Sequence, residues 1–489
     1  MKRATQIVAG IAPVPLLVAF LPSGLAAEDQ PEGVSPIAYT HVGKVKPRHA
    51  RDIKSANWSV GAETMDRDYT IYKHWRTYLG PLGAKKARIQ AGWAKTETAK
   101  GQYDWAWLDE IILDMVHEGV EPWVCVCYGN PIYPGGGGAG LGGALPSSPE
   151  ALEAWDRFVA AFVARYKEHV AEWEIWNEPR GSAGEQEYPR FLVRTAEVIR
   201  KIQPNATIIG CATAGINVQQ VEHALRHLKE TGKLNLVNQV SYHPYSGNPD
   251  SVYGGVQRLR DVVKSYSDAI TIRQGENGCP SRPGSFGALR QFDWDEQSQA
   301  KWALRRLLGD LGRDIPSSYF AICDMHYRDS QGGTSINYKG LLATNPDKTV
   351  AYAKPAYKAV QHVTAIFDGA LKRITDYPWE VRDGESDVAE RLSVFGYAAA
   401  SGRQIVTIWR DTDRPGENTA REHVDFVFRS GSFGDPVYVD LLTGEVYDIP
   451  DESWRTERGT TSYVFEHVPV YDSVVLIADR SLIPLQVDA

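Results

Sequence analysis

Two glutamates, Glu178 and Glu276, stand where paired carboxylates could give and take protons or attack an electrophile. The stretch Trp173-Glu174-Ile175-Trp176-Asn177-Glu178-Pro179 supplies the aromatic and β-branched residues of a buried strand, and Pro179, without an amide hydrogen, ends the ladder. Glu178 is thereby delivered at the strand's C-terminal end. A second β-branched run, Ala269-Ile270-Thr271-Ile272-Arg273-Gln274, stops at Gly275-Glu276 with turn residues behind it. Cleaving a glycosidic bond takes two carboxyl groups, one to protonate the departing oxygen and one to attack or to activate water. Retention calls for a separation of about 5 to 5.5 Å between them, inversion for about 6.5 to 9.5 Å.

The elements that must position this pair alternate along the chain. Strands are predicted over 58–62, 87–93, 121–128, 173–178, 207–211, 239–245, 269–278 and 317–326. Helical patterns fall between them, over 69–78, 103–117, 148–168 and 188–202, and a last helix closes the set at 354–367. Trp107, Leu108, Ile111, Ile112 and Met115 recur at helical spacing, and Ser148 before Pro149 reads as an N-cap with proline at the first helical position. Alternation of this kind argues for βαβ units and a parallel sheet, and with eight strands the expected architecture is a (β/α)8 TIM barrel, whose active site forms at the C-terminal ends of the strands. Between 131 and 146 lies a glycine-rich loop with no Gly-Lys-Ser/Thr behind it, read as a flap on the substrate side or a plain flexible linker rather than a phosphate cradle. From about Leu371 the texture changes to short alternating runs separated by Gly, Asp and Pro, the pattern of an antiparallel β-sandwich. The expected division is residues 1–27 as a signal peptide, 28–368 as the catalytic barrel and 369–489 as a β-sandwich accessory domain.

Trp176-Asn177-Glu178-Pro179 resembles the acid/base motif of the clan A retaining glycoside hydrolases built on (β/α)8 barrels, with families 39 and 5 nearest. The resemblance covers about 56–367. It implies an O-glycoside hydrolase in which the acid/base ends strand four and the nucleophile ends strand seven, the places of Glu178 and Glu276. Arg88 resembles the clan arginine that hydrogen-bonds the nucleophile and keeps it ionised, and Asn177 the clan asparagine that binds the sugar 2-hydroxyl. His243 and Tyr245 resemble the clan segment bordering the nucleophile. Trp93, at the end of the second strand, could stack on a sugar's apolar face or pack under a loop, and Asp324 is expected to contact sugar hydroxyls. The implied reaction is double displacement on β-linked oligo- or polysaccharides, with Glu178 raised in pKa by its surroundings so that it arrives protonated. The competing reading is a catalytically inactive glycan-binding protein on the same barrel, which would normally lose one carboxylate. A different chemistry on this fold would call for a phosphate site or a Schiff-base lysine at a strand end, and the sequence presents neither.

The 489 residues leave room for two folded units, and the net charge of −8 lacks the basic patches that nucleic acid binding requires. Lys2 and Arg3, the apolar run from Ile7 to Leu21, and Gly24, Ala26 and Ala27 form the pattern of a secretory signal peptide, so a secreted or periplasmic protein without stable membrane insertion is expected. The odd count of five cysteines argues against a disulfide framework and for core packing. Cys125-x-Cys127 and Asp324-x-His326 each offer two metal ligands, too few for a site, and no metal or cofactor is expected.

Overall fold

A computed structural model describes residues 37–328, 332–382 and 386–487. The proposed signal peptide lies outside them. Eight parallel strands close into a barrel: β2 (Trp58–Gly61), β3 (Lys86–Gln90), β4 (Glu121–Val126), β5 (Glu172–Ile175), β6 (Thr207–Ala214), β7 (Gln239–His243), β8 (Thr271–Asn277) and β9 (Ser317–Tyr319). Closure comes from β2 against β9, with Trp58 opposite Ser317, and helices cover the outside. They include Ala106–His117, whose buried Leu108, Ile111, Ile112 and Met115 are the predicted stripe. Ser148 caps Pro149–Tyr166 by accepting from the Ala151 amide.

Alternation along each strand sends every second side chain into the lumen, and here that column is charged rather than purely aliphatic. At its floor Glu172 pairs with Lys86 and with Arg273, at 2.5 Å. The ring of Trp123 follows, with the Arg273 and Arg88 guanidiniums 4.5 and 5.6 Å from its centroid. Above it Arg88 meets Glu174 through two nitrogens, at 2.7 and 2.5 Å. Each charge in this column thus has an opposite one beside it, the condition for tolerating charge in a protein interior.

The eighth barrel strand is shorter than the predicted 317–326. After Tyr319 the chain leaves the barrel, and Met325–Arg328 (β10) pairs with Thr334–Asn337 (β11) in a separate hairpin. The C-terminal part is antiparallel, as expected: an eight-stranded sheet packs with a four-stranded one formed by Trp379–Val381, Glu422–Phe428, Tyr463–Val470 and Trp454–Thr456. One strand of the larger sheet comes from the other end of the chain. Thr40–Val45 (β1), within the segment assigned to the barrel, pairs instead with Glu445–Asp448 and Leu485–Gln486. A purely local reading misses this because the partners are some four hundred residues away.

The helix Glu296–Leu311 is buried along almost its whole length between the two units. Its Lys301 reaches Asp472 at 2.7 Å and the carbonyls of Gly416 and Asn418. Arg305 bridges Asp250 of the barrel and the carbonyls of Asp411 and Asp413. All five cysteines are buried and free, and among the described residues no helix is long and apolar enough to cross a membrane.

Candidate active site

Glu178 lies just beyond β5, where the backbone turns through left-handed conformations at Trp176 (φ +67°) and at Glu178 itself (φ +45°). Non-glycine residues adopt this region at a cost, and such strain gathers where side-chain aim matters. The Glu178 amide donates to Ala212 O at 2.9 Å, which fixes the turn. Glu276 sits in β8 next to Gly275, where a Cβ would stand 2.0 Å from Ser241 Oγ and 3.4 Å from Glu174 Oε1. Only glycine lets β8 approach the lumen so closely.

The two carboxylates meet at one cavity. Glu178, Glu276 and His243 each place one oxygen or nitrogen within 4.8 Å of the other two. Arg88 Nη1 donates to Glu276 Oε2 at 3.0 Å, and the Tyr245 hydroxyl donates to Oε1 at 2.9 Å. Asn177 accepts from Arg88 Nη2 and donates to the Tyr128 hydroxyl, both at 2.8 Å. His243 stands closer to Glu178 (Nδ1 to Oε1, 3.0 Å) than to Glu276 (3.8 Å), although the sequence places it beside the nucleophile.

The electrostatics of Glu178 differ from the expectation. Burial works to raise its pKa, but the His243 hydrogen bond and charge and the Arg180 guanidinium outweigh it and hold the carboxyl at about 2. Arg180 pairs directly with Glu178 Oε2. His243 is shifted the other way: burial opposes its charge, yet the carboxylates of Glu276 and Glu178 raise its pKa above the usual value. In this resting arrangement the shared proton therefore belongs to the imidazole, and Glu178 is ionised rather than poised as an acid.

Two expected sugar contacts are absent from the cavity. Trp93 is fully buried, donates to Glu97 Oε2 at 2.5 Å and stacks on Tyr133 and Phe158, so its ring is sealed under the glycine-rich loop. Asp324 is also buried, bound to Lys354 Nζ at 2.7 Å and to the Gly340 amide at 3.0 Å, because the chain has already left the barrel. His326 donates or accepts at Thr344 Oγ1, so Asp324 and His326 form no common site.

The cavity, of about 590 Å³, is lined beyond the carboxylates by Arg180, Phe286, Arg290, Tyr327, Asn337 and Lys339. Phe286 and Tyr327 lie with ring centroids 4.8 Å apart, and Tyr69 continues the row at 4.7 Å, an aromatic wall of the kind suited to a sugar's apolar face. The glycine-rich loop is braced by its own backbone, with Gly129 N on Gly138 O and Asn130 N on Gly136 O, and Leu141 from it reaches the cavity. Glu63, one place past the predicted first strand, is fully buried, donated to by Arg88 Nη1 at 3.0 Å and pushed up to about 7 by burial against the pull of Arg88.

No family model and no curated protein matches this sequence. Solved structures do match in shape. A family 39 glycoside hydrolase from the gut symbiont Bacteroides cellulosilyticus WH2 superposes with a TM-score of 0.58 at 18% identity, over 87% of this chain and 81% of that one. A monomeric β-xylosidase from Caulobacter crescentus CB15 gives 0.56 at 18% identity, over 90% and 97%. A family 30 subfamily 8 xylanase from Clostridium acetobutylicum gives 0.52 at 13% identity, over 89% and 97%. The fold is that of clan A glycoside hydrolases. Within that fold the triad of Glu178, His243 and Glu276 also has donor atoms close enough for a metal ion, but guanidinium groups of Arg180 and Arg88 already face the two carboxylates and supply the positive charge a metal would bring.

Proposed function

We propose that the protein is a retaining O-glycoside hydrolase acting on β-linked oligo- or polysaccharides. The observation that carries this reading is that Glu178 and Glu276, from the ends of two barrel strands, bring carboxylate oxygens to within 4.8 Å of one another at one cavity, close enough for both to act on a single glycosidic bond. Glu276 Oε1 and Oε2 are each fixed by one donor, Tyr245 and Arg88, which aims the carboxylate without occupying all of its lone pairs. It attacks the anomeric carbon and forms a glycosyl ester as the bond to the leaving oxygen breaks. Glu178 gives that oxygen a proton and then takes one from the water that hydrolyses the ester. Asn177, held by Arg88 and Tyr128 directly before Glu178, is assigned to the 2-hydroxyl.

For Glu178 to act as the acid, Arg180 must release it. The arginine side chain is 50% exposed, so displacement into solvent by an arriving sugar breaks one exposed pair. Burial, the largest influence on Glu178, then acts with less opposition and favours the protonated acid.

Export is also proposed, on the strength of residues 1–27; the N-terminal sequence of protein recovered outside the cytoplasm tests it. The hydrolase reading is tested with a panel of aryl β-glycosides on the wild type and on Glu276→Ala, following the anomer first released by NMR. Turnover that is lost in the variant, with release of the β-anomer, supports it. Release of the α-anomer makes the enzyme inverting, and turnover that survives in Glu276→Ala removes Glu276 from the mechanism.

A further inference from the structure

Three lysines are buried in the described protein, Lys301, Lys339 and Lys354. Lys301 is answered by Asp472 and Lys354 by Asp324, each at 2.7 Å. Lys339, only 1% exposed, makes no ion pair with any carboxylate of the described residues. Its ammonium has two neutral acceptors at long range, Asn337 Oδ1 at 3.2 Å and Phe286 O at 3.4 Å. An ammonium has three protons to place, and a buried one without counter-charge is costly.

The uncompensated charge lies in the cavity wall. Lys339 lines the same cavity as Glu178 and Glu276, and its Nζ stands 5.7 Å from the ring centroid of Tyr245, whose hydroxyl holds Glu276. Gly287, another lining residue, has φ +90°, and a Cβ there would come within 3.4 Å of that Nζ. Glycine at this place keeps the approach open. Arg290 adds a second, exposed cation to the lining. Burial draws the Lys339 pKa down to about 8, with Glu276 among the groups pulling it back up, so the group still binds a proton at neutral pH.

We propose that Lys339 receives an anionic substituent, a carboxylate or a sulfate ester, on the sugar whose anomeric carbon faces Glu276, with Arg290 assisting, so that the natural substrate is an acidic glycoside. The proposal rests on the glycosidase reading for the identity of the ligand as a sugar. The anion supplies the counter-charge that the fold withholds from Lys339 and provides for its two other buried lysines.

The test compares 4-nitrophenyl β-D-glucuronide, the 6-sulfate of 4-nitrophenyl β-D-glucoside, and 4-nitrophenyl β-D-xyloside, which is the glucuronide without its C5 carboxylate. Wild type is expected to prefer one anionic substrate over the xyloside by tenfold or more in kcat/KM, and which one identifies the group. That preference ratio should fall at least tenfold in Lys339→Met and survive within threefold in Lys339→Arg, which keeps the charge. A wild-type preference for the xyloside, or a ratio unchanged in Lys339→Met, overturns the anion site and leaves the hydrolase standing. Calorimetric titration with free glucuronate, glucose 6-sulfate and xylose separates the remaining cases. Anion binding that needs Lys339 without any turnover keeps the site and ends the hydrolase reading; neither binding nor turnover ends both. Thermal melting of each variant guards against misfolding, and if Lys339→Met fails to fold, the wild-type preference and the Lys339→Arg ratio still decide.

Discussion

His243 Nδ1 lies 3.0 Å from Glu178 Oε1, and both groups are buried. The proton between them sits on the imidazole while Arg180 holds the other carboxylate oxygen, so the barrel rests with its proposed acid ionised.

Replacing Glu178 with Gln removes the acid and keeps the shape. Loss of general acid–base assistance lowers kcat by about 10²- to 10⁴-fold on glycosides with poor leaving groups. Substrates bearing a 2,4-dinitrophenyl group, which leaves without a proton, should lose far less in the first step. Equal loss on both kinds of leaving group would show that Glu178 does not protonate the departing oxygen.

Arg180→Gln takes away one of the influences that lower the Glu178 pKa and leaves burial and His243 in place. The acid must be protonated to work, so activity falls as pH rises through its pKa, and a higher pKa carries activity to higher pH. The basic limb of kcat/KM should move up by about one unit, since an opposite charge in contact typically lowers a carboxyl by 1 to 3 units and this pair is partly screened by solvent. A profile that keeps its basic limb rules out Arg180 as the control.

Glu172, at the barrel floor, is raised by burial but brought down to about 2 by Arg273 and Lys86. Its folded pKa is below the unfolded value, so the stabilisation is present above about pH 4.5 and is lost as pH falls towards 2. The shift corresponds to about 3 kcal/mol at neutral pH. Glu172→Gln should therefore cost a few kcal/mol in urea unfolding at pH 7, and the deficit should shrink on acidification. A deficit that is the same at pH 7 and pH 3 points to packing instead of charge.

Gly275→Ala drives a methyl group to 2.0 Å from Ser241 Oγ, one residue before Glu276. Overpacking of this kind costs about 1 to 3 kcal/mol, and displacement of the carboxylate should depress kcat more than KM. Adding Ser241→Gly frees the space and should restore part of both losses, so that the double variant is better than the single one. A purely additive result would mean that the crowding is relieved elsewhere.

Much of this arrangement is legible in the chain. The barrel strands announce themselves because they are buried on both faces and read as continuous β-branched and aromatic runs, and the strand-end rule leads directly to Glu178 and Glu276 at one cavity. Trp93 and Asp324 satisfied the same rule of position, yet one is sealed beneath a loop and the other is consumed by Lys354, since position along a strand says nothing about what a loop will cover. Glu63 was within reach of the rule, as it follows the first strand. Phe286, Tyr327 and Lys339 lie on irregular connections and a hairpin beyond the barrel, where no periodicity marks them. The pairing of Arg180 with Glu178 is a matter of rotamer, which sequence does not express.

The strand Thr40–Val45 lies between Glu445–Asp448 and Leu485–Gln486 in one sheet. About four hundred residues separate it from those partners, and closing so long a loop is entropically slow. Segments on either side of the barrel are therefore clasped together in one sheet, with the barrel as the loop between them. Deleting residues 40–45 or 485–486 removes a strand from that same sheet.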